Sequence, residues 1–415
     1  PVVPIFWMQS EDHDFEEIKA ANLFAGDELK RYELNVKKEQ LGGSVGGLTL
    51  VSDALESLKQ LEQDFSGADG EILSALTESY QPGEKLGDAV RRFLQKLFAP
   101  YGLIFCDPQS VVLKAAGASL IRECFRAHTE LAELLTSRAE QLVSNGYELQ
   151  VKVRPKHSLF FLDTQNGRKR LEIDSEGNFR GSGEKLSLQD IDSLIEREPH
   201  RFTSSALVRP LLQDFIFPTA AYIAGPAEFK YWTQVTPLYR KFAISQPLVV
   251  PRPSFVVLEH RTRQLAEKLG LSAEVLCGEA PQPSTLAPSL GQGYLVEALK
   301  SNTDSRLADL EAELRAINPS LTQALTTTRS AVATNLERLR SKIERAELQR
   351  DTVMAQRSQR LSSVVWPNGE KQERIISFIS YVLKYGRAFI DRVFRECPHY
   401  ASPGCHLIVP EEEPK

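Results

Sequence analysis

The feature that most constrains the fold is a heptad pattern of apolar residues in the last quarter of the chain. The pattern runs, at spacings of three, four or seven residues, through Leu325, Val332, Leu336, Leu339, Ile343 and Ala346. Such spacing is typical of a coiled coil, in which one face of a helix packs against another helix. Asn318-Pro319 offers an N-cap followed by proline at the first helical position, which predicts that the helix begins there.

A helix from Pro319 to Val365 would be roughly 70 Å long at about 1.5 Å per residue. A compact domain does not bury a helix of that length, so we predict an α-helical arm over residues 255–365 that projects and pairs. One possible partner is a second copy of the chain, which predicts a homodimer. The other is a stripe in the same chain, which would give a helical hairpin with a dimer face left over. That stripe is Leu258, Leu265, Leu307 and Leu314.

Residues 1–254 follow a different pattern, in which short apolar runs alternate with helical periodicity. The apolar runs are Val2–Trp7, Tyr101–Asp107, 215–225 and 247–253, and the helical stretches include 15–23 and 116–144. Fully apolar strands are usually covered on both faces, as in parallel sheets. The order of strands and helices therefore predicts an α/β core.

Two insertions and a C-terminal segment complete the predicted organisation. Residues 48–100 are mostly helical in spacing, and residues 147–200 contain hairpins that turn at Asn166-Gly167 and Glu176-Gly177. Residues 366–415 predict a short helical segment and tail that return to the core. The glycine-rich stretch Leu41–Gly47 lacks the spacing of a phosphate loop, so we expect a plain flexible linker.

Composition excludes several classes of function. The 415 residues carry a net charge of -5, which argues against a protein that binds nucleic acid through a global positive field. No apolar stretch approaches the ~20 residues needed to span a bilayer. The five cysteines are scattered and odd in number, which favours a reducing cytoplasm over a secreted disulfide framework.

The strongest candidate for chemistry is Glu11-Asp12-His13-Asp14, which follows the first apolar run. Ligands of open α/β sheets bind outside the carboxyl ends of the strands, where these side chains would lie. His13 beside carboxylates could act as a general acid or orient a phosphate. A helix-capping role, with Asp14 as N-cap, is the alternative, and both roles can hold together. Adjacent residues rarely converge on one ion, so we predict no metal.

A second candidate begins at Gly225-Pro226, after another apolar run. Glycine lets the backbone approach a ligand closely, and Glu228 and Tyr231 would follow on the next helix. A rigid turn between strand and helix is the alternative. A third cluster, Asn368-Gly369 with Gln372-Glu373-Arg374, has the pattern of a turn and a capped helix.

In order along the chain, these landmarks resemble the family of the bacillithiol biosynthesis cysteine-adding enzyme. The segments that carry the resemblance are Pro4–Met8 with Glu11–Glu17, Tyr101–Ile104 with Asp107-Pro108, Gln150-Val151 with Leu159-Phe160, Pro218–Glu228, Pro251–Ser254, and Pro367–Gly369 with Gln372–Arg374. The Glu-Asp-His-Asp and Thr-Ala-Ala-Tyr-Ile-Ala-Gly-Pro-Ala-Glu segments are the most specific.

The resemblance implies a Rossmann-like core with connecting-peptide insertions and a dimerising coiled-coil arm. It also implies a cytoplasmic ligase that adds cysteine to glucosaminyl malate by amide formation, with ATP/ADP as nucleotide. The residues it implies are Glu11, Asp12, His13 and Asp14 for catalysis, Gly225, Pro226, Glu228, Tyr231 and Arg252 for substrate, and Asn368, Gly369, Gln372 and Arg374 for nucleotide.

Two further expectations accompany the resemblance. Family members carry a glycine-rich strand–loop–helix upstream of the point where this chain starts. We therefore expect an exposed strand edge and no ligation by this chain alone. The rival hypotheses are another amide-forming ligase on the same fold and a non-catalytic coiled-coil scaffold.

Overall fold

The computed structural model describes residues 2–164, 167–181, 184–280, 293–318, 321–350, 352–397 and 404–410. The chain forms two compact units. The first consists of Pro1–Pro253, Ile379–Ile390 and Cys397–Pro403; the second consists of Ser254–Phe378, Asp391–Glu396 and Gly404–Lys415.

Short parallel strand pairs carry the apolar runs of the first unit. Strand β1 (Ile5–Trp7) pairs with β4 (Ile104–Cys106), and β10 (Ala221–Ala224) pairs with β11 (Leu248–Pro251). The parallel arrangement agrees with the prediction, but the prediction that Val2–Trp7 is buried was wrong. Ile5 and Phe6 are 38% and 46% exposed, because β1 pairs with β4 alone among the described residues.

Helices surround these strand pairs. In the first unit they are α1 (Phe15–Ile18), α2 (Glu56–Asp64), α3 (Gly70–Ser79), α4 (Leu86–Phe98), α5 (Val111–Arg126), α6 (His128–Ser144), α7 (Leu188–Arg197), α8 (Arg209–Ile216) and α9 (Pro226–Lys241). The single helix predicted over 116–144 is two helices, because Ala127 departs from helical geometry between α5 and α6. The predicted helix end at residue 144 is confirmed, and Gly146 follows it in the left-handed region.

The helix predicted over 15–23 is also wrong beyond Ile18. Strand β2 (Ala20–Ala25) replaces its second half and pairs antiparallel with β3 (Glu28–Glu33). Gly26, at a φ of 63°, makes the tight turn that lets these strands meet.

The hairpins predicted in the second insertion are confirmed. They form an antiparallel sheet in the order β8 (Glu184–Leu186), β7 (Phe179–Gly181), β6 (Gly167–Ile173), β5 (His157–Thr164) and β9 (Phe202–Ser204). Gly167 and Gly177 have φ values of 90° and 80° at the two predicted turns, whereas Asn166 lies outside the described residues.

An aromatic cluster joins α5 to this sheet. The ring of Phe125 lies 5.0 Å from Phe179, 5.5 Å from Phe202 and 5.9 Å from Phe160. All four rings are almost fully buried, so each contributes its whole apolar area to the core. The packing fixes the position of α5 and, with it, the polar residues at its start.

The second unit begins with a strand, not with the helix predicted from residue 255. Strand β12 (Ser254–Val257) pairs in parallel with β13 (Cys405–Ile408), a strand that the sequence pattern did not predict. The helices are α10 (His260–Lys268), α11 (Ala273–Cys277), α12 (Gly293–Ile317), α13 (Leu321–Arg350), α14 (Thr352–Val365) and α15 (Gln372–Ile375). Two more, α16 (Ile379–Tyr385) in the first unit and α17 (Arg387–Glu396) across both ranges, precede β13.

Helices α12 and α13 form an antiparallel hairpin, which was one of the two predicted arrangements. Arg329 contacts Asp304 at 3.1 Å, and Arg340 contacts Glu297 at 3.2 Å, so the two helices run in opposite directions. At about 1.5 Å per residue, α13 is roughly 45 Å long. The predicted start at Pro319 lies outside the described residues.

Candidate active site

A cavity of about 580 Å³ in the first unit brings two of the predicted clusters together. Its wall includes Glu11, Asp12 and His13 from the loop after β1, and Glu228 and Tyr231 from α9. Its size falls within the range of about 300–1,000 Å³ that is typical of small-molecule sites. Residues more than 200 positions apart in the sequence therefore share one pocket.

Glu11 is held by a buried ion pair. Its Oε1 accepts a hydrogen bond from Lys114 Nζ, which also donates to the Phe202 carbonyl at 2.5 Å. The other oxygen, Oε2, accepts from the backbone N and the hydroxyl of Ser204 at 3.3 and 3.0 Å. The side chains of Glu11 and Lys114 are both less than 10% exposed. Because its oxygens are engaged in this way, Glu11 is suited to anchoring the loop in place.

His13 lies between an anion and a cation. Its Nδ1 is 3.1 Å from Asp12 Oδ1 and 3.2 Å from Arg168 Nη1. The ring is about half exposed, and the opposite nitrogen, Nε2, is available to a bound molecule. A carboxylate accepts and a guanidinium donates, so the two neighbours favour opposite tautomers of the neutral ring. This arrangement lets His13 give or take a proton at Nε2.

Arg168 is a firmly anchored cation in the cavity wall. Its Nε donates to Thr203 Oγ1 and its Nη2 to the Ser204 carbonyl, both at 2.8 Å, and its Cζ lies 3.8 Å from the centre of the Phe161 ring. Burial lowers the pKa of the guanidinium, while Glu11 and Asp12 act to raise it. An arginine keeps its charge under such shifts. Arg168 therefore presents a fixed positive charge beside His13.

Asp14 has the capping role that was predicted as the alternative. Its Oδ1 accepts from the Glu17 backbone N at 3.4 Å and begins α1. Asp14 is absent from the described cavity wall, where its neighbours Asp12 and His13 do appear. A catalytic role for Asp14 stays a prediction.

The glycine-rich stretch Leu41–Gly47 is not the plain linker that we expected. The backbone N of Val45 donates to the Asp12 carbonyl at 2.6 Å, and that of Gly46 donates to the Ser10 carbonyl at 2.9 Å. A Cβ on Gly46 would stand 2.6 Å from Ser10 Cβ, closer than van der Waals contact allows. Glycine is needed here for close backbone approach, and the stretch supports the loop that carries His13.

Glu228 organises the opposite side of the cavity. Its Oε1 accepts from Arg209 Nη2 at 2.6 Å and from Tyr222 Oη at 2.9 Å, while Oε2 accepts from the Gly225 backbone N at 3.0 Å. Arg209 Nη2 also donates to Tyr231 Oη at 2.6 Å. Burial lowers the pKa of Arg209, but Tyr231, Tyr222 and Glu228 outweigh it, so the net shift is upward. Arg209 is a permanent buried cation.

The other predicted substrate residues are Gly225, Pro226 and Arg252. Gly225 and Pro226 form the start of α9, and the backbone N of Arg252 donates to the Ala224 carbonyl at 2.8 Å. In the part of the cavity that the structure describes, none of these three contributes to the lining. Their contact with substrate stays a prediction.

Cations outnumber anions on the cavity wall. Five cationic side chains line it, against four carboxylates, and one of these carboxylates, Glu11, is already paired with Lys114. Lys152, Arg154 and Arg170 are exposed on this wall. Exposed cations on a cavity wall attract anionic ligands.

The predicted nucleotide residues lie in the second unit. Asn368 and Gly369 adopt left-handed backbone conformations, with φ values of 57° and 80°. Gln372 is buried, and its amide bonds the backbone N and O of Val257 and the Val364 carbonyl at 2.7–3.1 Å. Through these bonds, Gln372 links its own helix α15 to α14 and to β12. Nucleotide binding there stays a prediction.

Three residues of the site were missed by the sequence pattern: Lys114, Arg168 and Arg209. Two of them carried a signal that could have been used. Lys114 shares a helix face with the buried Gly117 and Ile121, and Arg209 stands in the apolar stretch 206–212. A cation in such a position is buried only with a partner, which points to a polar site.

Two other kinds of feature are absent from the described residues. Among the described residues, no group of three or more histidine, cysteine or acidic side chains is arranged to hold a metal ion. No helix in the same ranges is long and apolar enough to cross a membrane.

Comparison with known proteins identifies two matching family domains. Residues 1–253 match "Bacillithiol biosynthesis BshC, N-terminal Rossmann-like domain", and residues 255–408 match "Bacillithiol biosynthesis BshC, C-terminal coiled-coil domain". Together these matches cover nearly the whole chain.

Curated relatives agree with the domain matches. A protein of Salinibacter ruber named "Putative cysteine ligase BshC" is 31% identical over 408 residues, which cover 94% of this chain and 73% of the relative. A protein of the same name from Solibacter usitatus is 30% identical over 400 residues, covering 95% and 75%. A third, from Koribacter versatilis, is 30% identical over 396 residues, covering 94% and 73%.

Proposed function

Since this chain belongs to the BshC family of bacillithiol biosynthesis and is a ligase, we propose that it joins cysteine to glucosaminyl malate through an amide bond, using ATP. The family resemblance, the Rossmann-like core and the coiled-coil arm predicted from the sequence are confirmed by the domain matches. The substrates, the bond formed and the nucleotide are the parts proposed here.

The observation that carries the proposal is the shared cavity, in which His13 and Arg168 face the same space as Glu228 and Arg209. Amide formation needs a group that handles protons and groups that hold anions, within one enclosed space. The cavity volume suits a small sugar derivative better than a macromolecule.

His13 and Arg168 have separate roles in the proposed amide formation. The amine of glucosaminyl malate would attack the carboxyl carbon of cysteine once ATP has activated that carboxylate. As the C–N bond forms, the amine loses one proton and the C–O bond to the phosphate or AMP leaving group breaks. In the tautomer that Asp12 favours, His13 Nε2 carries a lone pair and accepts that proton. Arg168 stands beside it as a fixed positive charge that stabilises developing negative charge on the carbonyl oxygen.

ATP would supply the leaving group that makes a carboxylate electrophilic, because a free carboxylate resists attack by an amine. The exposed cations Lys152, Arg154 and Arg170 on the cavity wall fit a polyphosphate by charge. The segment around Asn368 and Arg374 is the second candidate for nucleotide contact, on the strength of the family resemblance.

We also propose a cytoplasmic location and a homodimer. All five cysteines are free in the structure, as suits a reducing compartment. The proposed dimer contact is the heptad seam of the long helix, which consists of Leu325, Val332, Leu336, Leu339, Ile343 and Ala346.

The proposal is tested by incubating the protein at its natural full length with cysteine, glucosaminyl malate and ATP. Mass spectrometry should detect a product equal to the sum of both substrates less one water. Omitting any one of the three compounds should abolish it. Product formed with other amines but not with glucosaminyl malate would favour another amide ligase on this fold.

A scaffold function makes the opposite prediction. Under it, an alanine variant at His13 would restore bacillithiol in cells that lack the native protein. Loss of bacillithiol in that variant, with protein levels unchanged, would support the ligase.

A further inference from the structure

Some residues that line the cavity carry a buried polar atom that has no hydrogen-bond partner. Within the described residues, these atoms are His157 Nδ1, Ser205 Oγ and Arg209 Nη1. Ser205 and Arg209 are 9% and 7% exposed, so water does not solvate their side chains freely. Buried polar groups are almost always paired, and an unpaired group on a cavity wall therefore points to a missing ligand.

Ser205 and Arg209 are neighbours on one turn of the chain. The Arg209 backbone N donates to the Ser205 carbonyl at 2.9 Å, which places the two residues one helical turn apart at the start of α8. The other end of the guanidinium is fixed, because Nη2 donates to Glu228 Oε1 and Tyr231 Oη at 2.6 Å. The Nη1 group is thus left as a preorganised donor.

The chemistry of these atoms selects an anionic oxygen ligand. A guanidinium nitrogen only donates and a serine hydroxyl can donate as well, so each of the two atoms can bond an oxygen of a carboxylate. The surplus of cations on the cavity wall also favours an anion.

We infer that Ser205 and Arg209 form a carboxylate-binding subsite that positions substrate in this cavity. The assignment of its ligand rests on the proposed function, because both proposed substrates carry carboxylates. Glucosaminyl malate has those of its malate group, and cysteine has its own. Either one bound at this subsite would be held on the side of the cavity formed by α8 and α9.

The test measures binding of L-malate and of L-cysteine to the full chain by isothermal titration calorimetry, without nucleotide. Dimethyl malate, which has the same skeleton without charge, is the ligand control. Ser205→Ala should weaken binding several-fold, and Arg209→Lys should weaken it about 10- to 100-fold, since charge-assisted hydrogen bonds are lost.

The variants are chosen so that folding does not obscure the result. Ser205→Ala removes a buried hydroxyl that has no partner, so its thermal midpoint should stay level or rise. Ser193→Ala, an exposed serine on α7, is the matched control and should leave affinity unchanged. Ser205→Ala therefore keeps the test valid even if Arg209→Lys fails to fold.

The outcomes separate the possible sources of the carboxylate. A loss confined to L-malate assigns the subsite to the acceptor, and a loss confined to L-cysteine assigns it to the amino acid. Unchanged affinity for both ligands in Ser205→Ala and in folded Arg209→Lys, or no binding of either ligand to the unmutated chain, would overturn the inference. If binding depends on Ser205 but the protein at its natural full length makes no ligation product, the proposed function is rejected and the subsite is retained.

Discussion

At the residue scale, the site depends on charged groups whose partners are buried with them. Glu11 on the cavity wall is neutralised by the buried Lys114, and Arg209 is neutralised by Glu228. His13 differs from these residues because it is half exposed and its two neighbours favour opposite tautomers. It is therefore the residue that we propose for proton transfer in the reaction.

Replacing His13 should lower turnover while leaving the fold intact. In His13→Asn, product formation should fall at least tenfold, because acid–base catalysis commonly contributes about 10²–10⁴-fold. The melting temperature should stay within a few degrees, since the half-exposed ring supports no core. His200→Asn, an exposed histidine outside the cavity, is the control and should keep full activity. Unchanged activity in His13→Asn would make His13 a capping-region residue only.

Breaking the buried pair should affect stability instead. Lys114→Met leaves the Glu11 carboxylate buried beside Ser204 without its cation, which should cost about 3–5 kcal/mol in urea unfolding. Adding Glu11→Gln removes the second charge and should recover most of that loss. The surface pair Lys96–Glu78 provides a comparison, because Lys96→Met should cost less than about 1 kcal/mol. Equal effects of Lys114→Met and Lys96→Met would contradict the structural role given to the buried pair.

At the element scale, the loop after β1 is held by other loops as well as by the strand itself. Gln109, which follows β4, donates to the Ser10 carbonyl at 2.5 Å, and the glycine-rich stretch donates to Ser10 and Asp12. The Arg168 backbone N also donates to the Gly42 carbonyl at 2.8 Å. The glycine-rich stretch thus connects both residues that flank the His13 ring.

A single methyl group should disturb this support. Gly46→Ala places a Cβ 2.6 Å from Ser10 Cβ, and overpacking of this kind costs about 1–3 kcal/mol. Activity should fall about tenfold or more, because a shift of about 1 Å in a catalytic group has large effects. The control Gly43→Ala meets nothing nearer than 3.9 Å and should be neutral. Stability and turnover, measured for both variants, should differ between them.

Local patterns predicted some elements of this fold better than others. The hairpin turns at Gly167 and Gly177 and the helix stop at Gly146 were predictable, because positive φ values select glycine. The end of the predicted helix at Ile18 was not, since Ala20–Ala25 forms a strand only by pairing with β3. The pattern also located His13 and Glu228, but could not show that they line one cavity. Arg168 and Lys114 join the site through tertiary contacts, which the hydrophobic periodicity of the sequence does not encode.

At the scale of the whole molecule, the helical hairpin leaves apolar surface uncovered. Leu310, Ile317, Leu321 and Leu339 are 37–74% exposed on α12 and α13. The seam that contains Leu336 and Ile343 is only partly buried within one chain. An apolar stripe of this length, when it is exposed in water, favours association with a second helix surface. The hairpin therefore agrees with the predicted alternative in which a dimer face remains.

Two charged substitutions in that seam should separate the proposed dimer. Light scattering of the unmutated chain should give the mass of a dimer, and Leu336→Glu with Ile343→Glu should lower it toward that of a monomer. The introduced glutamates repel each other across a helix seam, and they also replace apolar side chains that would be buried there. The matched control is Thr327→Glu with Thr334→Glu, which has the same spacing of seven residues on α13 but lies at exposed positions. It should keep the dimer mass, which shows that added charge alone does not dissociate the protein. A folded monomer before any substitution would contradict the homodimer, and the exposed leucines would then need another partner.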